Sequence, residues 1–283
     1  MGDRVEIVEM APRDGLQNEK ASVPTADKIA LVDMLSNAGF RRIEVTSFVS
    51  PKWVPQLADA AEVMAGIARK PRVGYGVLTP NLKGLERALE VKPDWVAVFA
   101  SASERFSKAN LNCTIAESLE RFRPVVAGAQ AAGMPVRGYV SCITDCPYDG
   151  KVAPEAVAEV TRALFDMGCV EVGLGDTIGA GTPESVGAML DAVLDVARPE
   201  TLGGHFHDTG GRALENIETC LECGLRVFDA AVGGLGGCPY APGAKGNVAT
   251  EAVLDRLTSL GFETGLDAEA VTAAGRFAQG LRS

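Results

Sequence analysis

The chain contains two histidines, and they stand two residues apart in His205-Phe206-His207-Asp208. In an extended strand, residues i and i+2 share a face, so both imidazoles aim at one point. That is a metal-binding geometry, with an ordinary hydrogen-bonded pair as the alternative. Other residues able to do chemistry are Arg13-Asp14, Glu44, Ser47 and Asp176. A further segment runs from Gly233 to Gly246 (GGLGGCPYAPGAKG), where six glycines and two prolines occupy 14 positions. Such a composition cannot form a helix and permits movement and close backbone approach, as an active-site lid requires. Cys238 in its middle can serve as a proton donor or acceptor if its thiol titrates near neutrality, or simply pack as a small residue.

The elements that must position these groups are legible as alternation. β-Branched runs at Val5 to Met10, Arg42 to Ser47, Arg72 to Leu78, Trp95 to Ser101, Val136 to Cys142, Val170 to Asp176, Leu202 to Asp208 and Val227 to Val232 read as strands, each separated by room for a helix. Thr25 is expected to cap a helix that carries Leu31, Met34, Leu35 and Ala38 on one face and stops at Gly39. Pro154-Glu155 opens another that ends near Gly168, and Thr182-Pro183-Glu184 opens a third. Eight evenly spaced β/α units without a linker predict a single α/β domain over residues 1–283, a (β/α)8 TIM barrel with a Gly-rich lid after strand eight.

In such a barrel, catalytic groups lie at the C-terminal ends of the strands, and Arg13-Asp14, Glu44, Ser47, Asp176 and the His-x-His pair all fall there. Strand eight closes onto strand one, which makes Asp14 the natural carboxylate partner of His205 and His207. Two imidazoles and a carboxylate, completed by oxygens from an amide, water or substrate, suit octahedral Mg2+ or Mn2+ better than tetrahedral Zn2+.

Composition narrows the partners. With 27 Lys and Arg against 37 Asp and Glu the net charge is −10, which repels a phosphate backbone, so no nucleic acid is expected. The basic pairs Arg41/Arg42 and Arg121/Arg123 read as solvated element ends, with a hold on a small phosphorylated ligand as the alternative. No apolar run reaches the length of a membrane span, and Met1 to Glu9 resembles neither a signal nor a transit peptide, so no membrane is expected. Seven scattered cysteines suit free thiols and a cytoplasmic location. Cys220-x-x-Cys223 reads as core packing, and Cys142-x3-Cys146 as pocket lining without a ligand role. Gly173-x-Gly175-x-x-x-Gly179 is one residue too long for a dinucleotide fingerprint, so neither NAD nor ATP is expected.

Two segments, Val8 to Glu19 (VEMAPRDGLQNE) and Gly233 to Glu251, resemble the hallmark segments of the 3-hydroxy-3-methylglutaryl-CoA lyase family. The likeness continues in order through Thr46 to Pro55, Leu78 to Gly84, Arg137 to Cys142, Leu174 to Gly179 and His205 to Thr209. It implies metal-dependent cleavage of 3-hydroxy-3-methylglutaryl-CoA to acetoacetate and acetyl-CoA in leucine or acyl-CoA catabolism, with Mg2+ or Mn2+ as cofactor, an acyl-CoA substrate and a homo-oligomer of two or more chains. Carried over by position, Asp14, His205, His207 and Asn247 match metal ligands, Arg13 the essential cation and Cys238 the lid thiol. Glu44 and Asp176 match further catalytic positions, and Arg13, Lys20, Ser47 and Gly237 are expected to contact substrate. After Thr209 the animal enzymes usually carry a tyrosine, and Gly210 here suggests room for a bulkier group at C3. A condensing synthase or aldolase on the same barrel is the alternative enzyme, and a non-catalytic acyl-CoA-binding barrel the alternative outside enzymes.

Overall fold

In the computed structural model, which describes residues 3–19, 22–237 and 246–282, eight parallel strands close into a barrel. They are β1 (Glu6–Glu9), β2 (Arg42–Ser47), β3 (Gly74–Leu78), β4 (Trp95–Ser101), β5 (Val136–Ser141), β6 (Glu171–Asp176), β7 (Leu202–Phe206) and β8 (Val227–Ala230). Each pairs with its neighbours in sequence, and β1 closes the ring against β8 with Glu6 opposite Val227 and Glu9 opposite Ala230. These strands match the eight expected from sequence, each to within two residues at either end. Between β5 and the following helix the chain adds a short antiparallel hairpin, Asp145–Cys146 with Gly150–Lys151, which the alternation does not announce.

Side chains alternate between two environments along each strand. On β4, Val96, Val98 and Ala100 face the surrounding helices, whereas Trp95 and Ala97 turn inward to join Val8, Met10, Leu78 and Tyr139. The outer layer is the larger one, and each buried Val, Leu or Phe in it contributes about 1.5–3 kcal/mol of transfer free energy. Cys220 is buried in it with its helix, Ala213–Glu222.

Helix ends follow the local chemistry. Thr182 accepts from the Ser185 N–H with Pro183 in the first turn, and Gly168, at φ 105°, ends Pro154–Met167. Thr25 departs from expectation. It is the first residue of the helix Thr25–Asn37, with Pro24 in the cap position, and its hydroxyl donates to Asp59 Oδ2 at 2.7 Å. Pro24 has no side-chain oxygen to cap with, and its carbonyl instead receives the Asp27 and Lys28 N–H groups at 3.0 and 3.1 Å.

The inward face is unusually charged. Arg42, two residues before Glu44 on β2, pairs with Glu6 at 2.9 Å and Glu171 at 3.0 Å inside the barrel. The reading of Arg42 as a solvated strand end is therefore wrong. Its place in the alternation turns it inward, where two carboxylates compensate the desolvated charge. Arg137 and Tyr139 on β5 fill the centre, and they fit because β6 and β7 present glycines there. A Cβ on Gly173 would stand 2.6 Å from the Tyr139 ring, and one on Gly203 2.7 Å from Arg137 Nη2.

Candidate active site

Strand β1 ends in a five-residue π-helical turn, Ala11–Gly15, in which the N–H groups of Arg13, Asp14 and Gly15 converge on the Met10 carbonyl at 3.2, 2.9 and 3.1 Å. Single π-turns of this kind project consecutive side chains where an α-turn would not. Beneath it the buried Glu9 carboxylate accepts from the Ala11 N–H (2.9 Å), the Val232 N–H (3.0 Å) and the Thr250 hydroxyl (2.7 Å). One side chain thus fastens the Arg13-Asp14 turn to both ends of the Gly-rich segment. Burial pushes the Glu9 carboxyl up to about 8.

The Gly-rich segment leaves β8 through a tight turn in which Gly233 and Gly234 are left-handed, at φ 67° and 62°, a conformation open to glycine at little cost. It returns at Gly246. Asn247 bridges His207, Val248 N–H donates to Phe206 O at 3.0 Å, and Ala231 N–H to Val248 O at 3.1 Å. The exit of the segment is thereby wedged between the ends of β7 and β8, which brings Asn247 to the histidines.

The donor set meets at the barrel mouth. Asp14, His205 and His207 each offer a ligand atom within 4.8 Å of the others'. His207 Nε2 and His205 Nε2 stand 3.8 and 4.0 Å from Asp14 Oδ2, and Asn247 Nδ2 donates to the same oxygen at 2.8 Å. Burial alone would raise the Asp14 carboxyl, but Arg13 and the two histidines outweigh it and hold it well below the usual carboxylate range. Asn247 Oδ1 is buried with no hydrogen-bond partner among the described residues. A buried amide oxygen left unsatisfied beside two imidazoles and a carboxylate fits a cation, since it carries a lone pair and the set mixes oxygen and imidazole donors.

Arg13 is held at the edge of this set by Asp14 through Nη1 (2.5 Å) and by Glu44 through Nε (2.6 Å). Burial would lower the Arg13 pKa, but these two carboxylates raise it, so the guanidinium stays charged. Asp176 ends β6 under a different constraint. Its carboxylate accepts from the Gly181 N–H (2.9 Å) and the Ala180 N–H (3.2 Å), shaping the loop after β6, and burial raises its pKa. Ser47 ends β2, buried, with its hydroxyl oxygen accepting from the Val49 N–H at 3.2 Å. Gly237 receives the Asn18 amide on its carbonyl at 2.8 Å. Lys20 and Cys238 lie outside the described residues. Cys142 and Cys146, expected as pocket lining, are buried together against Phe106.

Three residues escaped the sequence reading as site groups. Asp229 on β8 stands opposite His205 in register, with Oδ2 3.1 Å from His205 Nδ1. Arg137 Nη1 donates to Asp229 Oδ1 at 2.7 Å and to the Tyr139 hydroxyl at 2.8 Å, and Tyr139 donates onward to Glu44 Oε2 at 2.6 Å. The signal was present: Arg137-x-Tyr139 and Asp229 are polar residues on the inward phase of barrel strands, where a burial cost demands a purpose.

A parallel eight-stranded barrel with two imidazoles, carboxylates and an arginine gathered on its C-terminal strand ends is an enzyme of the TIM-barrel class. Residues 4–277 match the HMGL-like family model, and the chain belongs to that family. It is 57% identical over 96% of its length to the 3-hydroxy-3-isohexenylglutaryl-CoA/hydroxy-methylglutaryl-CoA lyase of Pseudomonas aeruginosa, covering 91% of that protein. It is 55% identical over 97% of its length to the mitochondrial hydroxymethylglutaryl-CoA lyase of Bos taurus, covering 84% of it. Among solved structures, the HMG-CoA lyase of Brucella melitensis superimposes with a TM-score of 0.98 at 66% identity over 99% of both chains.

Proposed function

We propose that this protein is a divalent-metal-dependent lyase that cleaves 3-hydroxy-3-methylglutaryl-CoA into acetoacetate and acetyl-CoA, in leucine or related acyl-CoA catabolism. The observation that carries this reading is the convergence of Asp14, His205, His207 and the unpartnered Asn247 Oδ1 beside the charged Arg13. Asp14, His205, His207 and Asn247 would hold Mg2+ or Mn2+, which when bound acidifies the C3 hydroxyl of the substrate as a Lewis acid.

The reaction breaks the C2–C3 bond. The C3 hydroxyl loses its proton and becomes the ketone of acetoacetate, while the bonding pair passes to C2 and onto the thioester oxygen as an enolate, which is then protonated at C2 to give acetyl-CoA. Arg13 has its Nε and one Nη engaged by carboxylates, which aims the rest of the guanidinium at the mouth to donate to that enolate oxygen. Glu44 fixes the guanidinium plane through the 2.6 Å contact. Asp176 orders the loop after β6 around the substrate through the Gly181 and Ala180 N–H groups, and burial raises its pKa. Cys238 delivers or removes the C2 proton from the lid, Lys20, Ser47 and Gly237 contact the substrate, and residues 1–283 act as one catalytic domain.

The decisive assay measures acetoacetate and acetyl-CoA release from 3-hydroxy-3-methylglutaryl-CoA with Mg2+ or Mn2+ and after chelation, using wild type beside Cys238→Ala. Cleavage that needs the ion and collapses in the variant is the expected result. A second substrate is favoured by the Pseudomonas relative, whose name covers an isohexenyl as well as a methyl group at C3, so a bulkier 3-alkyl analogue is expected to turn over too. Gly210, the position expected to leave room for it, is exposed, and a Cβ there would stand 2.9 Å from the Gly179 carbonyl. The protein is further read as cytoplasmic, supported by the free Cys113, Cys142, Cys146, Cys169, Cys220 and Cys223, and as a homo-oligomer, supported by the family likeness and checked by light scattering.

A further inference from the structure

The buried polar residues inside the barrel form one continuous circuit. From Asp14 it runs through Arg13 to Glu44 (2.6 Å), to the Tyr139 hydroxyl (2.6 Å), to Arg137 Nη1 (2.8 Å), to Asp229 Oδ1 (2.7 Å), and by Asp229 Oδ2 to His205 Nδ1 (3.1 Å), whose Nε2 faces Asp14 again. Arg137, 2% exposed, is the single group shared by both arms, and β6 and β7 carry Gly173 and Gly203 where side chains would collide with Tyr139 and with Arg137. We propose that Arg137 and Asp229 are positioning residues that dictate the tautomer of His205, with the same guanidinium holding the Arg13 arm in register through Tyr139 and Glu44.

The directions of the hydrogen bonds carry the argument. A guanidinium only donates, so the Asp229 oxygen it meets is an acceptor, and an ionised Asp229 has nothing to donate to the imidazole. His205 Nδ1 must then carry the hydrogen, which leaves the Nε2 lone pair facing Asp14. The buried ion pair, with Arg137 Nη1 2.7 Å from Asp229 Oδ1, is the geometry that favours that ionised state. On the other arm, the Tyr139 oxygen accepts from Arg137, so its one proton is committed to Glu44 and Glu44 keeps its second oxygen for Arg13 Nε. One buried cation therefore orients a metal-facing imidazole and the enolate-facing arginine together. The inference rests on the metal-centre reading above, and its deciding measurements use no acyl-CoA.

Because His205 and His207 are the only histidines, a long-range proton–nitrogen spectrum of 15N-histidine-labelled, Mg2+-loaded protein resolves each ring directly. Wild type is expected to show His205 as the Nδ1–H tautomer. Asp229→Asn keeps the shape but can donate from its amide to Nδ1, so the Nε2–H form should appear, and the Kd for Mn2+, followed by electron paramagnetic resonance, should rise about 10–100-fold. Tyr139→Phe breaks only the other arm. It should leave the His205 tautomer and the Mn2+ Kd within about twofold of wild type while lowering kcat about tenfold or more, with KM nearly constant. The proposal is overturned if wild-type His205 carries its hydrogen on Nε2, if Asp229→Asn retains both the tautomer and the Mn2+ affinity, or if Tyr139→Phe shifts the tautomer as much as Asp229→Asn does. A wild type that binds Mn2+ with the expected tautomer yet leaves 3-hydroxy-3-methylglutaryl-CoA intact would instead refute the substrate assignment alone.

Discussion

Asn247 Nδ2 lies 2.8 Å from Asp14 Oδ2, joining two residues 233 positions apart in the chain. The contact exists because the segment after the lid is wedged between β7 and β8 while β1 closes the barrel beside them. It brings the Asn247 side chain to the Asp14 and His207 corner of the site, with its amide oxygen unpartnered among the described residues. Asn247→Ala is expected to weaken Mn2+ binding by about tenfold or more, measured by titration, and to lower stability without metal by about 1–2 kcal/mol, because the variant also removes the Nδ2 donor to Asp14 and to the Leu235 carbonyl.

Glu44 is fully buried and grips both Arg13 and Tyr139. Glu44→Gln removes the charge that orients Arg13 and puts an amide N–H against one of its two donors. Turnover should drop about 10²-fold, with the loss carried by kcat, if Arg13 stabilises the enolate. An unchanged kcat would remove Arg13 from that role.

Gly173 and Gly203 are required for space. Gly173→Ala sets a methyl 2.6 Å from the Tyr139 ring, which must move and loosen its bond to Glu44. Destabilisation of about 1–3 kcal/mol in urea unfolding is expected, together with a lower kcat. Gly187→Ala, where the nearest atom lies 3.8 Å away on a helix, is the control and should be near neutral.

Glu9 offers a pH test. With its folded-state carboxyl raised from 4.5 to about 8, the folded protein binds more protons than the unfolded chain between those values. Stability must therefore fall as pH rises across that window. Glu9→Gln keeps an oxygen for the Ala11 and Val232 N–H groups, which both bond to Glu9 Oε1, and does not titrate. Its unfolding free energy, compared with wild type by denaturant titration at about pH 5 and 8.5, should decline less by about 1 kcal/mol or more. Parallel profiles would show that Glu9 does not titrate in this range.

Much of the site was legible before folding because its residues announce themselves by type. Two histidines spaced for one strand face, Arg13-Asp14 after a strand and a Gly-Pro segment after the last strand all reflect local rules of strand alternation and turn chemistry. Arg42 was misread as a solvated end because adjacent basic residues usually are, and only its phase on β2 betrays the two carboxylates it meets.

The sequence by itself determined the alternating elements, the closed barrel and which strand ends carry reactive side chains, since periodicity and end signals are properties of neighbouring residues. Tertiary structure alone decided that Asp229 stands against His205, that Arg137 reaches both Asp229 and Tyr139, and that Asn247 arrives beside Asp14. Those pairings depend on the register and stagger with which eight strands close, and on glycines at Gly173 and Gly203 that leave volume for Tyr139 and Arg137 from β5. Register between distant strands is a collective outcome of packing, and no local pattern in the chain encodes it.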